Sequence, residues 1–262
     1  MTQPSIDGIV LVISCHKHQE TRLTEFGPKR DSYADGQWKV VEVLGDPRLP
    51  SRYEWIDDRR LVIKCEDSYV HLMKKVVLAM DILMDLFDVR EGFLRCGDDL
   101  VFYEDRLDAF LRGPKPGHYV GKLVNGPWWT PVVSTRRDTF MTDYYARHPE
   151  DFWDPLHGLL GLDRAFEDWD KIPDAGAYAG GVVVYLSLSA CQALVQKMRS
   201  IDYDVLRKCP IGLQGYYPYI IEDVGVGYAL RGTFSLAPVD LYVDHPDDKS
   251  ETALAWHTNK YK

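Results

Sequence analysis

Two pairs of adjacent carboxylates are the residues of this sequence best suited to chemistry. Asp98 and Asp99 follow the apolar segment 92–96, and Glu222 and Asp223 follow a second apolar stretch. Adjacent carboxylates repel each other unless a cation or hydrogen-bond donors offset their charges, and hard oxygen ligands suit Mg²⁺ or Mn²⁺. The first pair therefore predicts a divalent-cation site that bridges a diphosphate, with a solvated acidic turn as the alternative.

The second acidic pair opens a predicted helix, where the helix dipole favours negative charge. Helix capping alone would explain Glu222 and Asp223. Gly225 and Gly227 are less usual in the first turns of a helix, because each glycine costs about 1 kcal/mol relative to alanine. These glycines predict the close approach of a ligand or of a neighbouring backbone.

Small and basic residues near other predicted strands are further candidates. Ala179, Gly180 and Gly181 would let a substrate approach the main chain closely, or would form a tight turn. His16, His18 and Arg22 follow the first predicted strand, where a nucleotide would lie. Neither G-x-G-x-x-G nor G-x-x-x-x-G-K followed by Ser or Thr occurs, which excludes phosphate-binding loops of those two types.

Alternating strands and helices must position these side chains. Apolar, β-branched runs predict strands over residues 8–14, 38–46, 61–65, 92–96, 100–103 and 178–187. Strands that alternate with helices favour an α/β domain with a mostly parallel sheet. In such sheets ligands bind at the carboxyl ends of the strands, which is where Asp98 and Asp99 are expected.

The helices are predicted from apolar periodicity and capping residues. Apolar residues at three- and four-residue spacing predict a helix over 68–88, with Asp67 or Ser68 as its N-cap. Further helices are predicted over 104–111, over about 190–199 with Ser187 or Ser189 as cap, and from about Glu222.

Composition and charge exclude several classes of protein. Hydrophobic residues make up 45% and charged residues 27% of the 262 residues, which excludes collagen-like and intrinsically disordered chains. The net charge of -9 repels phosphate backbones, so nucleic acid is not an expected partner. No apolar run is long enough to span a bilayer and the first residues lack the basic start of a signal peptide, so we expect a cytoplasmic protein, or a lumenal one if the chain is an excised domain.

The cysteines are isolated from one another along the sequence, which argues against a zinc knuckle or a complete disulfide framework. They are predicted to be buried thiols. These residues are Cys15, Cys65, Cys96, Cys191 and Cys209.

Four segments, taken in order, resemble the motifs of a known family. They are CEDSYVHLMKKV, FLRCGDDLVF, YAGGVVVYLS and IEDVGVGYAL, and they cover residues 65–230. Together they resemble the inverting β-1,3-glycosyltransferases of family 31, the group of galactosyltransferases, fringe and core 1 synthases. The resemblance implies a GT-A fold, which is an α/β/α sandwich with a mostly parallel nucleotide-binding sheet in a single domain. Residues 1–112 would form mainly the nucleotide-sugar half and residues 113–262 mainly the acceptor half.

The resemblance also implies a reaction. A hexose, galactose by family default, would move from a UDP-sugar to a hydroxyl of a glycan acceptor with inversion to a β linkage, and Mn²⁺ or Mg²⁺ would be the cofactor. One alternative is the same fold with another donor, such as UDP-xylose, UDP-N-acetylglucosamine or a deoxysugar nucleotide. Another is a catalytically inactive carbohydrate-binding module. A metal-dependent hydrolase using Asp98, Asp99 and His257 is a third class, for which the sequence shows no compact ligand motif.

The resemblance assigns candidate metal ligands. Asp99 matches the family's metal-binding aspartate, and Asp98 matches the residue before it, which implies contact with the metal and the donor. Gly97 replaces a third aspartate, which the family uses near the ribose and the metal. The segment TALAWHTNK resembles the family's segment with a metal-binding histidine, which implies that His257 completes the metal shell, and His245 is its competitor.

The resemblance also assigns the base and the donor contacts. Asp223 matches the general base that takes the proton from the acceptor hydroxyl, and Glu222 is the fallback base. Lys75 is implied to lie near the donor diphosphate, with an exposed helical lysine as the alternative. Gly180 and Gly181 are implied to contact the donor, together with Arg22 and Asp98.

Three aromatic residues are candidates for acceptor binding. Trp128, Trp129 and Tyr178 would form an apolar platform against one face of a sugar ring. Packing of the core is the alternative, because large aromatic side chains dominate burial.

Overall fold

The computed structural model describes residues 3–68, 71–124, 149, 177–201 and 222–258. The described strands are β1 (Ser5–Ile13), β2 (Ser32–Tyr33), β3 (Trp38–Gly45), β4 (Tyr53–Trp55), β5 (Arg60–Ile63), β6 (Asp88–Gly97), β7 (Leu100–Phe102), β8 (Tyr119–Val124), β9 (Tyr178–Ser187), β10 (Leu236–Pro238), β11 (Tyr242–Val243) and β12 (Ala255–His257). The described helices are α1 (Arg22–Glu25), α2 (Leu72–Leu86), α3 (Glu104–Arg112), α4 (Leu188–Ile201) and α5 (Glu222–Leu230).

A large mixed sheet forms the centre of the protein, which confirms the α/β class. Its strands follow the order β10, β8, β9, β6, β1, β3, β5 and β4, and β2 pairs with β3. Strand β1 runs parallel to β3 and β6, and β3 runs parallel to β5. Strand β9 runs antiparallel to both β6 and β8. The largest parallel part of the sheet is therefore the block from β6 to β5, β10 also runs parallel to β8, and the sheet as a whole is mixed.

The sheet is buried on both faces where its central strands are apolar, as in residues 8–13 of β1. In β1, Ile9 and Leu11 pack toward α2, α4 and α5, whereas Val10 and Val12 pack toward α3 and the second sheet. All four side chains have 0% exposure. This is the environment that a continuous β-branched run predicts, since a strand covered on both faces does not alternate with polar residues.

A second, three-stranded sheet lies against one face of the large sheet. Strand β12 pairs in parallel with β11 and antiparallel with β7, and its register places His257 opposite Leu100. Leu254 and Ala255 are buried in the core on this side. The pairing brings a segment from far along the chain next to the turn that follows β6.

Helix α2 begins later than the sequence predicts. Its N-cap is His71, so Asp67 and Ser68 do not cap it. The carboxylate of Asp67 instead accepts bonds from distant parts of the chain, and the Ser68 hydroxyl lies 2.7 Å from Nδ1 of His71. The prediction of the cap was wrong because tertiary contacts use the capping side chain.

Helices α4 and α5 begin where the sequence predicts. The hydroxyl of Ser187 accepts a 3.2 Å hydrogen bond from the backbone N–H of Ala190, which confirms Ser187 as the cap of α4. Ser189 contacts Ser187 and His118 instead. Helix α5 begins at Glu222.

The four described cysteines are buried free thiols, as predicted. Burial raises the pKa of Cys65 and Cys96 to about 12 each, so these thiols stay protonated. Cys209 lies outside the described residues. In the part of the chain that the structure describes, no helix has the length and apolarity that a membrane crossing requires.

Candidate functional site

The carboxyl ends of β1 and β6 meet at one edge of the large sheet. The two strands are parallel and in register up to Ile13 and Gly97, so Ser14 and Asp98 follow them side by side. The hydroxyl of Ser14 donates a 2.7 Å hydrogen bond to Oδ2 of Asp98, and both residues are buried. The acidic turn is therefore not solvated, which was the alternative at the sequence level.

Arg22 supplies positive charge to this acidic turn. Its Nη1 lies 3.4 Å from Oδ1 of Asp98 and 3.9 Å from Oδ2 of Asp99. Arg22 is the first residue of α1, which follows β1 in the chain, and the Arg22 side chain is 22% exposed. Arg22 thus stands beside the predicted metal ligands and keeps a face toward solvent.

His257 completes the cluster at the end of β6. Its Nε2 lies 3.3 Å from Oδ2 of Asp99. The backbone carbonyl of Asp99 accepts hydrogen bonds from the N–H and the hydroxyl of Thr258, at 2.9 and 2.8 Å, which anchor the end of β12. His245, the competing candidate, is half exposed and contacts Asp247 instead.

The donor set at this edge fits a divalent cation in part. Two ligands bound at right angles to one cation at about 2.1 Å stand about 3 Å apart, which is close to the 3.3 Å between Asp99 Oδ2 and His257 Nε2. The two oxygens of Asp98 are instead engaged by Ser14 and Arg22. Among the described residues no group of three or more His, Cys, Asp or Glu side chains is arranged around one point. The described part of the chain therefore offers Asp99 and His257 as side-chain ligands here, and imidazole favours Mn²⁺ over Mg²⁺.

Lys75 lies beneath the strand ends. It is 2% exposed, and its Nζ donates hydrogen bonds of 2.5 Å to the backbone carbonyl of Ser14 and to Oδ1 of Asp67. Burial, the largest single influence, lowers the pKa of Lys75, but the charge and the hydrogen bond of Asp67 together with the nearby thiols outweigh it, so that the net pKa is raised. The exposed helical lysine considered at the sequence level is wrong, and the ammonium group is held by the protein itself.

Asp67 is the centre of a buried junction that joins three segments. Besides the bond from Lys75, it accepts hydrogen bonds from the backbone N–H of His16 at 2.6 Å and from that of Gly45 at 3.1 Å. A side chain at Gly45 would meet the carbonyl of Cys65 at 2.7 Å. We call Asp67, Lys75, Ser14, His16 and Gly45 the Asp67 junction. It ties α2 to the ends of β1 and β3.

Glu222 and Asp223 occupy different environments in the first turn of α5. The Oε2 of Glu222 lies 2.9 Å from Nη2 of Arg95, and both side chains are 6% exposed. Burial raises the pKa of Glu222 to about 7; Arg95 lowers it and the charge of Asp223 raises it. Asp223 is only half-buried, and its Oδ1 accepts a 2.8 Å hydrogen bond from the N–H of Val224. Of the two carboxylates, Asp223 is the one in reach of a molecule outside the core.

Glycines let α5 pack directly on β9. A Cβ at Gly181 would lie 2.8 Å from Oε2 of Glu222 and 3.1 Å from Cβ of Asp223. A Cβ at Gly227 would lie 2.4 Å from Cβ of Tyr178, so the prediction of a close neighbour at Gly227 is confirmed. The neighbour is another part of the chain, and Gly181 makes room for the acidic pair.

Tyr178 packs in the interior. It is 6% exposed and forms a small cluster with Val224, and Val124 and Tyr228 pack against the two. The packing alternative therefore applies to Tyr178, which leaves no open ring face for a sugar. Trp128 and Trp129, the other two residues predicted for the acceptor, lie outside the described residues.

The structure adds two residues that the sequence reasoning missed. Arg95 lies in β6 and pairs with Glu222; its signal is a lone charge inside the apolar run FLRC. The hydroxyl of Tyr242 would lie 3.2 Å from a Cβ placed on Gly180, and burial together with the charges of Asp244 and Asp223 raises its pKa to about 12. No pattern in the sequence distinguishes Tyr242 from an ordinary strand residue.

Strand β6 connects the two acidic pairs. Arg95 lies in β6, and Asp98 follows the end of this strand. Strand β9 is antiparallel to β6, so β9 begins beside the end of β6. Arg95 is opposite Val184 in this pairing, so Gly181 and the first turn of α5 lie near the end of β6. The cluster of Asp98, Asp99 and His257 and the pair of Glu222 and Asp223 thus share one edge of the sheet.

Comparison with known proteins adds no relative to this description. The sequence matches no model of a known protein family, and no curated protein is significantly similar to it.

Proposed function

We propose that this protein is an inverting, metal-dependent glycosyltransferase with a GT-A type fold. It would transfer a hexose from a UDP-sugar to a hydroxyl of a glycan acceptor, as the resemblance to family 31 implies. The observation that carries the proposal is the 3.3 Å approach of His257 to Asp99, two residues from distant parts of the chain at the end of a buried parallel strand. The resemblance implies that these two residues belong to one metal shell.

The donor would bind at the edge where β1 and β6 end. Ligands of open α/β sheets bind outside the carboxyl ends of the strands, and residues 1–112 contribute the parallel block β1, β3, β5 and β6. Arg22 stands at this edge with part of its guanidinium exposed, so it can pair with a phosphate oxygen. Lys75 contributes indirectly, by fixing the Ser14 carbonyl beneath the site.

Asp99 and His257 would hold the divalent cation, and their separation fits two neighbouring ligands. A bound Mn²⁺ or Mg²⁺ would offset the negative charge that grows on the departing UDP. Asp98 would act through its contact with Arg22 and through the donor, since Ser14 already engages one of its oxygens.

Asp223 would be the general base. It would take the proton of the acceptor hydroxyl while that oxygen attacks the anomeric carbon from the face opposite UDP, which inverts the configuration in one displacement. Its partial exposure supports this role, whereas Glu222 is buried against Arg95. The acceptor would be held by residues 113–262, and the prediction for Trp128 and Trp129 remains.

Calorimetric titration of a panel of UDP- and GDP-sugars, with Mn²⁺ and again with EDTA, tests the proposal. We expect one UDP-sugar to bind only with metal, and the panel includes UDP-galactose, UDP-xylose and UDP-N-acetylglucosamine. The variant His257→Gln should lose the metal dependence, and His245→Gln is the matched control that should keep it, because His245 is exposed and contacts Asp247. Absence of binding to a folded protein, or equal effects of the two variants, would refute the proposed site.

Binding without transfer is a second candidate function, favoured by one observation. The guanidinium of Arg22 already neutralises Asp98 and Asp99 in part, and Gly97 stands where the family has a third carboxylate. A protein of this kind would bind the nucleotide sugar and release no UDP. Measuring UDP release in the presence of glycan acceptors separates the two functions.

A further inference from the structure

The contact between Arg95 and Glu222 is a buried ion pair that joins the sheet to α5. Nη2 of Arg95 lies 2.9 Å from Oε2 of Glu222, and each side chain is only 6% exposed. Among the described residues, Nε of Arg95 has no hydrogen-bond partner. The arginine is therefore held at its charged end by this single ionic contact.

Stability alone does not account for this pair. Taking two charges out of water costs free energy that their attraction often fails to recover, and apolar replacements of similar volume are often neutral or stabilising. The side chains around a small cavity beside the pair are mainly apolar, and they include Val76, Met80, Val184 and Leu186. A methionine or leucine at position 95 would suit these surroundings, so packing does not explain the charges of Arg95 and Glu222.

The contact between Arg95 and Glu222 links the first turn of α5 to β6. Glu222 precedes Asp223 directly, and Arg95 lies in β6 three residues before Asp98, which begins the turn after that strand. A strand in the middle of a sheet is rigid, so a group fixed to β6 is also fixed relative to the acidic turn at its end. Gly181 completes the arrangement, because any side chain there would displace the acidic pair.

We propose that Arg95 is a positioning residue, which holds the first turn of α5 through Glu222 and thereby sets the Asp223 carboxylate relative to the acidic turn at the end of β6. This inference rests on the proposed function, in which Asp223 is the base and Asp99 lies on the donor side. The distance between a base and the reacting atoms must be correct to within a fraction of an ångström, since a misplacement of about 1 Å can cost about 100-fold in rate. Arg95 touches neither substrate, and its effect passes through Glu222.

Three variants separate positioning from folding. Arg95→Met leaves the buried Glu222 carboxyl without this partner and is expected to unfold more easily. The double variant Arg95→Met/Glu222→Gln removes both charges, so it keeps the fold and loses only the ionic contact. Arg95→Lys keeps one positive charge near Glu222, which is the ionic partner of Arg95 among the described residues.

The experiment measures UDP-galactose affinity by calorimetry, UDP release with a panel of p-nitrophenyl hexosides as acceptors, and thermal unfolding. We expect the folded double variant to bind UDP-galactose within about threefold of wild type while turnover falls about 10- to 100-fold. Arg95→Lys should recover most of the turnover. In a protein that already carries Asp223→Asn, adding Arg95→Met/Glu222→Gln should change turnover by less than about twofold. Both sets of replacements act through the carboxylate of Asp223, so their effects should not add.

Two results would overturn the inference. One is wild-type turnover in the folded double variant, and the other is an equal loss with and without the Asp223→Asn change. A wild-type protein that neither binds UDP-galactose nor releases UDP refutes the proposed function, and the inference with it. That failure is seen before any variant is made, so it is distinct from a failure of the positioning role alone.

Discussion

Replacing Lys75 by methionine should destabilise the protein strongly, because it removes the cation at the centre of the Asp67 junction. The ammonium group is buried and makes two short hydrogen bonds, to Asp67 Oδ1 and to the Ser14 carbonyl. In Lys75→Met the carboxylate of Asp67 would remain buried without an ion-pair partner on that oxygen. Methionine has a similar length, so the change tests the charge more than the volume.

The size of the effect follows from the contacts that remain. Breaking a buried ion pair by removing one partner costs about 3 to 5 kcal/mol. Asp67 keeps the hydrogen bonds from the backbone N–H groups of His16 and Gly45, which offset part of the loss. We therefore expect about 3 kcal/mol at neutral pH, a large share of the stability of a typical domain, which is about 5 to 15 kcal/mol.

Urea unfolding followed by tryptophan fluorescence gives the free energy of unfolding. Lys64→Met is the matched control, since Lys64 is exposed and such changes stay within about 0.5 kcal/mol. The double variant Lys75→Met/Asp67→Asn removes both charges and should recover part of the loss. A change below about 1 kcal/mol in Lys75→Met would refute the interpretation of Lys75 as a structural cation, and it would return Lys75 to the donor site.

Three further predictions concern α5 and its neighbours. Asp223→Asn should keep UDP-sugar binding but lower turnover about 100-fold, the usual contribution of a general base, and unchanged UDP release would exclude Asp223 from that role. The raised pKa of Glu222, about 7 against an ordinary value of 4.5, favours the folded state below pH 4.5, and that contribution is lost as the pH rises through 7. We therefore expect the free energy of unfolding of the wild type, measured in urea, to be about 2 to 3 kcal/mol lower at pH 8 than at pH 5 because of this group, and Glu222→Gln should lack that part of the decrease. The same decrease in both proteins would contradict the raised pKa. Gly227→Ala should cost about 1 to 3 kcal/mol despite the better helix propensity of alanine, because its Cβ would lie 2.4 Å from Cβ of Tyr178, and an unchanged midpoint of thermal unfolding would contradict that packing.

The interior elements could be predicted because their signals are local. Residues 178–187 were predicted as a strand and form β9 with the same bounds, since three consecutive valines between small and aromatic residues leave little alternative. The start of α5 at Glu222 and the cap of α4 at Ser187 were also predicted correctly. In each case the residues that define the element are neighbours in the sequence.

Elements that depend on distant contacts could not be predicted in this way. The N-cap of α2 was assigned wrongly because Asp67 looks like a cap in the sequence, but its carboxylate serves two strand ends instead. Strands β11 and β12 are two and three residues long, so they carry almost no periodic signal. They form because the apolar side chains of Leu254 and Ala255 can be buried on the sheet.

In the candidate site, too, the residues with a local sequence signal could be predicted and the contacts between distant residues could not. Asp98 and Asp99 stand out because they follow an apolar strand, and the resemblance to a family was needed to connect them with His257. The burial of Lys75 and the pairing of Arg95 with Glu222 depend on which side chains face each other across the sheet. A single sequence contains no information on such facing pairs beyond the presence of a charge in an apolar run.

The pairing of β12 with β7 also sets the order in which the site is assembled during synthesis. A ribosome delivers the N-terminal part of a chain first, and domains begin to fold as they emerge. Strands β1, β3, β5 and β6 can therefore associate while the segment with His257 is still being made. Asp99 acquires its histidine partner only when that late segment adds to the edge of β7. In the nascent protein the parallel strands of the large sheet would thus associate before Asp99 and His257 come together.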